Sequence, residues 1–443
     1  MPTQCQPNHS YWLSEVELQP TAALSGDIRM DVALVGGGYT SLVCALFLKR
    51  LRPDLKVAVL ESHYVGFGAS GRNAGMVLHE LHDDRAARFG KDAVRFTYEQ
   101  VVGAMDTIDR LCKDYGFDCD LERDGYLELA LCPAHFKRLA ERARTFKEYG
   151  QPLRVLDRSA LQREIRSPAF WGALLYPHAA TLQPAKYALG LKKAALQEGV
   201  QLYEGTPVLS LVPGEQVVLT TPQGKVQAGA VVLGLNAYHP ASNIRPLHNR
   251  AVSLFSFIVL TEPLGTRIEE TLGWRKRWGY SDLRHLHNYV RPVADRLLFG
   301  GRVRYRFGTY LPPEQELPMY EQLKREFSKN FPMLQDVRFT HQWCGSVAFN
   351  WRRSPIMGVT GRHRNIYYSM GYSGMGVSLA TLGGQVLADL YLSKRDRWEG
   401  LIYLNDAQWP LPPEPFKFMG FTGKYWWMLW QDWLDMRSLR ATR

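Results

Sequence analysis

Little in this chain points to disulfides, zinc or a membrane span. Its six cysteines (Cys5, Cys44, Cys112, Cys119, Cys132 and Cys344), spread over 443 residues, have neither the density of a disulfide scaffold nor the CxxC pairs of a zinc site. No metal is expected. No uncharged run approaches the roughly 18 residues of a spanning helix, so no transmembrane segment is expected. The opening MPTQCQPNHSYWL has no charged stretch followed by an apolar one, which makes the cytoplasm the expected location. Repeats and low-complexity tracts are missing too. The charge balance does lean one way, with 54 Lys and Arg against 43 Asp and Glu for a net +11. The basic residues are scattered and accompany no recognisable nucleic-acid motif, so no nucleic-acid partner is expected.

A hydrophobic fraction of 46% and a charged fraction of 22% are those of an ordinary folded protein, long enough for two domains or one elaborated α/β unit. The informative stretch is DVALVGGGYTSLVCALFLKR, residues 31 to 50. Residues 31 to 35 are short, apolar and β-branched, as a strand buried on both faces is. Leu42, Val43, Leu46, Phe47 and Leu48 then recur at helical spacing. Between them, Gly36 supplies turn dihedrals closed to other residues, and Gly38 lacks the Cβ that would hold a pyrophosphate off the backbone. The following helix aims its unpaired N–H groups at that anion. Ser41 stands at the third small position, which predicts a slightly wider separation of helix and strand. A second strand, KVAVLE (56 to 61), ends in Glu61, about 20 to 25 residues beyond the turn, where an acid accepts ribose hydroxyls. A carboxylate there argues for FAD or NAD and against a 2′-phosphate.

The next segment, GFGASGRNAGM (66 to 76), resembles the GxGASGRNxG loop of the FAD-dependent D-amino-acid-oxidase superfamily, which includes glycine and sarcosine oxidases and γ-glutamylputrescine oxidoreductases. Similar matches follow in chain order: TLQPAKYALGLKKAALQEGVQLYEGTPV (181 to 208), GAVVLGLNAYHP (229 to 240), RLLFGGR (296 to 302) and YYSMGYSGMGVSLATLGGQVLADL (367 to 390). The resemblance covers roughly residues 28 to 440. It implies a non-covalently held FAD, with Gly36, Gly38, Tyr39, Thr40, Ser41, Glu61, Ser62, Gly68, Ala69, Ser70, Arg72, Asn73, Gly75, Met76, Val208, Asn236, Gly345, Gly371, Gly374, Met375 and Gly376 on the cofactor side. Cys344 lies near the region where some relatives attach flavin through cysteine, but its spacing is shifted. Two departures stand out. Met375 replaces a frequent histidine, and the segment 343 to 358 keeps Trp343, Gly345, Pro355 and Gly358 while losing a Thr-Pro-Asp.

The implied architecture is α/β plus α+β: a Rossmann-like FAD-binding domain of the D-amino-acid-oxidase type and a discontinuous substrate domain on a mostly antiparallel sheet. Residues 28–90, 165–240 and 335–400 are expected to build the first, and 91–164 and 241–334 the second. DGYLELALC (124 to 132) and VSLFSFIVLTEPL (252 to 264) have the composition of its strands. The implied chemistry is loss of hydride to flavin N5 from a carbon beside an amine nitrogen, giving an imine that water hydrolyses. Tyr289, Arg302 and Tyr372 are the candidates for substrate contact, Arg302 as a bidentate clamp for a carboxylate or as one half of a structural ion pair. His63 is set aside as more often structural than catalytic.

Residues 401–443 form an aromatic tail in which Trp426, Leu429, Trp430 and Trp433 share a helical face, flanked by Lys417, Lys424, Arg437 and Arg440. That stripe is expected to dock on its own protein or on a second subunit, with peripheral membrane or partner contact through 416–440 as the alternative. The expected substrate is a small amine or amino acid. Alternatives are a residue of a partner protein, an amine oxidised by a membrane-associated dehydrogenase that reduces quinone, and a flavin-bearing assembly protein that has lost its chemistry.

Overall fold

A computed structural model describes residues 10–78, 85–238, 247, 249–305, 313–404, 406 and 409–437; Arg440 and the end of the 229–240 segment lie outside these. The strand Ile28–Val35 sits at the centre of an eight-stranded sheet whose main order is 356–360, 366–370, 224–233, 28–35, 57–60, 201–203. The inner pairings are parallel, and 356–360 runs antiparallel at the edge. Successive side chains on a strand point to opposite faces. Val32 and Leu34 therefore meet the helices Tyr39–Leu51, Lys91–Tyr115, Pro184–Gln197 and Gly376–Tyr391, while Ala33 and Val35 pack with Val217, Leu219 and Ile366 on the other side. Burial on both faces is why this strand reads as an unbroken apolar run.

The helices 39–51 and 376–391 cross at close range. A Cβ at Gly384 would lie 2.8 Å from the Thr40 carbonyl oxygen and 2.7 Å from Val43 Cβ. Ser41 lies between this contact and the sheet, and a Cβ on Gly234 would fall 2.1 Å from its hydroxyl. The space that a serine needs at the third small position comes from glycine at the end of the neighbouring strand. The helix does not have to stand off.

The second sheet also has eight strands, in the order 339–349, 252–261, 296–305, 288–293, 279–282, 126–130, 172–176, 154–157. All its pairings are antiparallel except 279–282 with 126–130. Leu127, Phe257 and Phe299 on one face meet Leu323 and Phe327 of the helix Pro313–Asn330. Three elements lie in the other layer from the one expected of them. Gly172–Tyr176 and Phe339–Phe349 pair within this second sheet, and the helix 91–115 inserts Val101, Ile108 and Leu111 into the core of the first. Apolar alternation marks a strand but not the partner it pairs with.

The N-terminal segment also joins the two layers. Trp12, 1% exposed, packs with Ile258, Leu298 and Trp343 of the second sheet and with Ala185 of the 184–197 helix. Its indole N–H donates to the Asn73 carbonyl (2.8 Å), and the Ser10 hydroxyl donates to the Gly71 carbonyl (2.5 Å). The 66–76 loop is thus held from behind. Trp12→Ala is expected to cost about 3–5 kcal/mol in denaturant unfolding and to loosen flavin retention, measured by gel filtration of the yellow protein. Unchanged stability would show that the segment is only appended.

Candidate active site

The glycine turn closes on Glu61. Gly36 has φ +98°, and a Cβ on it would lie 3.2 Å from the Gly234 carbonyl oxygen. The Gly37 N–H donates to Glu61 Oε2 at 2.6 Å, while Oε1 accepts from the His63 N–H (2.9 Å) and the Ser62 hydroxyl (3.1 Å). Three donors fix the carboxylate at the mouth of the turn. Gly38 faces Ser70, whose hydroxyl oxygen would lie 3.2 Å from an added Cβ. The same oxygen accepts from the Tyr39 N–H (3.2 Å), and the Tyr39 hydroxyl donates to the Ser70 carbonyl (2.6 Å).

The loop that follows is braced by its own polar side chains. Asn73 Nδ2 donates to the Ala69 carbonyl (3.0 Å), and Asn73 Oδ1 accepts from the Gly75 N–H (2.7 Å). Arg72 donates from Nε to the Phe67 carbonyl (2.8 Å), and its own carbonyl accepts from the Trp343 indole (2.8 Å). Gly68 faces Tyr238, whose ring lies 3.0 Å from where a Cβ would stand.

These residues border one cavity of about 680 Å³ between the two sheets, a size ordinary for ligand sites. Of the cofactor-side candidates, Gly36, Gly38, Tyr39, Thr40, Glu61, Ser62, Gly68, Ala69, Ser70, Arg72, Asn73, Met76, Val208, Asn236, Gly345, Gly374 and Gly376 line it. Ser41, Gly75, Gly371 and Met375 are not among the lining residues. Ser41 packs against Gly234. Gly75 leaves room for Leu182 and for Arg291, which donates to the Gly75 carbonyl (3.0 Å). Gly371 faces Asn350, and Met375 is buried in the helical core. Reading by motif missed Gly37, Gly234, Tyr238, Ser256, Ser346 and the 285–287 segment, all of which line the cavity. Gly37 was the one within reach of sequence reading, since it stands inside the glycine triplet.

The N-termini of the 39–51 and 376–391 helices both open on this space. Two positive dipole ends, a fixed carboxylate and a wall of glycine backbone fit a dinucleotide flavin: N–H groups for its phosphates, Glu61 for ribose hydroxyls, close backbone for the ring. Cys344 is buried, does not line the cavity, and has its thiol pushed up to about 12, chiefly by burial. It remains an unreactive thiol, in keeping with flavin held without a covalent bond.

On the far wall stand Tyr289 and Arg302. Tyr289 lies opposite Gly300 in the antiparallel register, and a Cβ on that glycine would fall 2.1 Å from the tyrosine ring. The missing side chain lets the ring lie flat across the neighbouring strand. Its hydroxyl is 3.1 Å from Ser256 Oγ, and burial pushes its pKa up to about 12. Tyr372 also lines the cavity, but its hydroxyl is bonded to Thr40 (2.6 Å) and Ser369 (2.8 Å). It acts as a strut between the two glycine-rich turns.

Arg302 is carried inward by a β-bulge. Ser256 pairs with Val303 and Phe257 with Gly301, so Arg302 is the extra residue, at φ +59°. It is 7% exposed, its Nε has no hydrogen-bond partner, and Nη2 lies 3.5 Å from Glu326 Oε1. Glu326 also binds Arg284 (2.8 Å) and Lys329 (3.1 Å). Burial alone would raise the Glu326 pKa, but Arg284 and then Arg302 and Lys329 hold it at about 2, below its ordinary 4.5. A depressed folded pKa contributes stability above the unfolded value that fades as pH falls towards the folded one. Glu326→Gln is expected to cost on the order of 3 kcal/mol near neutrality, with the deficit shrinking between pH 4.5 and about 2. A deficit constant across that window, in thermal unfolding, would contradict this.

Comparison with known proteins agrees with this geometry. The family described as FAD dependent oxidoreductase (DAO) matches residues 31–390. The chain is 32% identical to γ-glutamylputrescine oxidoreductase of Escherichia coli K12, over 93% of this chain and 95% of that protein. It is 24% identical to glycine oxidase of Geobacillus kaustophilus, over 84% and 95%. The crystal structure of that glycine oxidase superposes with a TM-score of 0.69 at 21% identity, covering 82% of this chain and 95% of the other. L-proline dehydrogenase from P. horikoshii gives 0.68 at 17%, covering 84% and 95%; these two superpositions are likenesses of fold. With four-fifths of its length matched by the family, this chain belongs to the DAO family of FAD-dependent oxidoreductases, and FAD is its cofactor.

Proposed function

We propose that the chain oxidises the C–N bond of a small amine or amino acid that carries a carboxylate. FAD supplies the acceptor for the hydride lost from the carbon beside the nitrogen; the resulting imine is hydrolysed by water to a carbonyl and a free amine or ammonia. The observation that carries this reading is Arg302: a buried guanidinium on the cavity wall, with an unpaired Nε and a long contact, at 3.5 Å, to a carboxylate that it shares with Arg284 and Lys329. A buried cation in that state is a ready partner for an anionic substrate group.

The other side chains divide the work. Tyr289 keeps its proton near neutral pH, so its hydroxyl is a donor at the same wall. Ser346, buried and lining the cavity with an unpartnered hydroxyl, is a further polar contact. The second sheet keeps water from the reacting carbon, which strengthens every charge contact inside. The relatives' names fit this division: glycine and a γ-glutamyl amine each combine a C–H beside nitrogen with a carboxylate.

The test is a visible spectrum of the purified protein under anaerobic conditions with pooled amino acids, N-methyl amino acids and γ-glutamyl diamines, and with a separate pool of simple alkylamines. The flavin bands are expected to bleach with a carboxylate-bearing pool and to persist with simple alkylamines. Bleaching only by alkylamines would overturn the assignment of Arg302. Acid precipitation is expected to release all the yellow colour into the supernatant; colour retained in the pellet would show a covalent link.

A further inference from the structure

The tail helix Phe416–Arg437 is turned the opposite way from an ordinary docked helix. Trp426 (65% exposed), Trp427 (49%), Trp430 (53%) and Trp433 (50%) face outward together with Phe416 and Met419. At about 100° per residue these side chains share an arc of about 120°. The two carboxylates face in. Asp432, the one buried residue of the helix, accepts from the backbone N–H groups of His285 (2.8 Å) and Leu286 (3.2 Å), and Asp435 pairs with Arg138 (2.6 Å). Near its start Phe421 stacks on Tyr305, with ring centroids 5.4 Å apart. The helix is therefore fixed to the body, and its aromatic face is presented to the outside. The expected docking of the tryptophan stripe on its own chain is not what the structure shows.

We infer that this outward face is a docking surface for an anionic lipid interface. Indole suits such a boundary because its ring is apolar and its N–H stays wet. Asp432 and Asp435 are the only carboxylates of the helix, and both are engaged on its inner side. What remains at the surface is cationic: Lys424 is exposed, and Arg437 lies 4.3 Å over the Trp433 ring. The whole chain adds a net charge of +11. Trp with Lys and Arg and without carboxylate is the composition that holds a helix in the plane of an anionic leaflet. A second copy fits less well, because a two-fold contact sets the same face against itself and leaves Lys424 and Arg437 with no opposite charge. The surface adjoins the site, since Trp427 lies 5.4 Å from His285 and the 285–287 segment lines the cavity.

The full-length holoprotein is tested by co-sedimentation with vesicles of phosphatidylcholine alone and of phosphatidylcholine mixed equally with phosphatidylglycerol. Binding to the anionic vesicles is expected to be about tenfold stronger or more and to weaken as salt is raised. The triple variant Trp426→Ser, Trp430→Ser, Trp433→Ser is expected to lose it at least tenfold while keeping its flavin spectrum and melting temperature. Absence of binding to anionic vesicles, or equal binding by the variant, overturns the inference. So does a wild-type dimer in light scattering that the variant splits into monomers, because a second copy then covers the face.

Discussion

An arginine buried with its Nε unpaired is the constraint around which the wall opposite the glycine turns is arranged. The bulge at Arg302 turns its side chain inward, and Glu326, shared with Arg284 and Lys329, answers it only across 3.5 Å. The arrangement then extends outward step by step. Arg284 joins Glu326 to Asp282 (2.6 Å), and Asp282 accepts from the Asn288 N–H (3.2 Å) at the start of the strand that carries Tyr289. The segment between them is pinned from outside by Asp432 of the tail helix. Cavity wall, ion network and tail form one connected structure, in which each charge answers the next.

The opposite wall obeys a different requirement, which is room. A dinucleotide held by backbone N–H groups needs strands and helices to meet where side chains would normally stand. Gly36, Gly38, Gly68 and Gly234 leave that room along the cavity, and Gly384 leaves it one layer behind, letting two helix N-termini reach the same space. Glu61 then closes over the turn by accepting from Gly37. Redox chemistry comes with the cofactor. The protein contributes a shape lined by backbone on one face and a cation with a tyrosine on the other.

How much of this was legible in the sequence depended on whether the signal was local. The strand, turn and helix of residues 28–51 and the acid at 61 follow from periodicity and glycine chemistry, and they stand where expected. Pairing is not local, so the strands 172–176 and 339–349 were placed in the wrong layer. Ser41 and Gly75 looked like ligand contacts because they fall within motifs, yet their smallness serves Gly234 in one case and Arg291 with Leu182 in the other. Trp12 carried no signal at all, since one tryptophan in an opening segment has no period. The tail misled in an instructive way. An aromatic stripe is usually the buried face, but here Asp432 and Asp435 form the better contacts and the stripe is left outside.

Selection of substrates by their carboxylate at Arg302, as proposed, is tested most directly by rapid anaerobic mixing of the wild type and of Arg302→Met, each with a reducing substrate and with the carboxamide of that substrate. The wild type is predicted to reduce about a hundredfold faster, at limiting concentration, with the acid than with the amide. The variant is predicted to treat the two alike, at the slower rate. A variant that keeps the hundredfold preference would contradict the account and place carboxylate recognition elsewhere on the cavity wall.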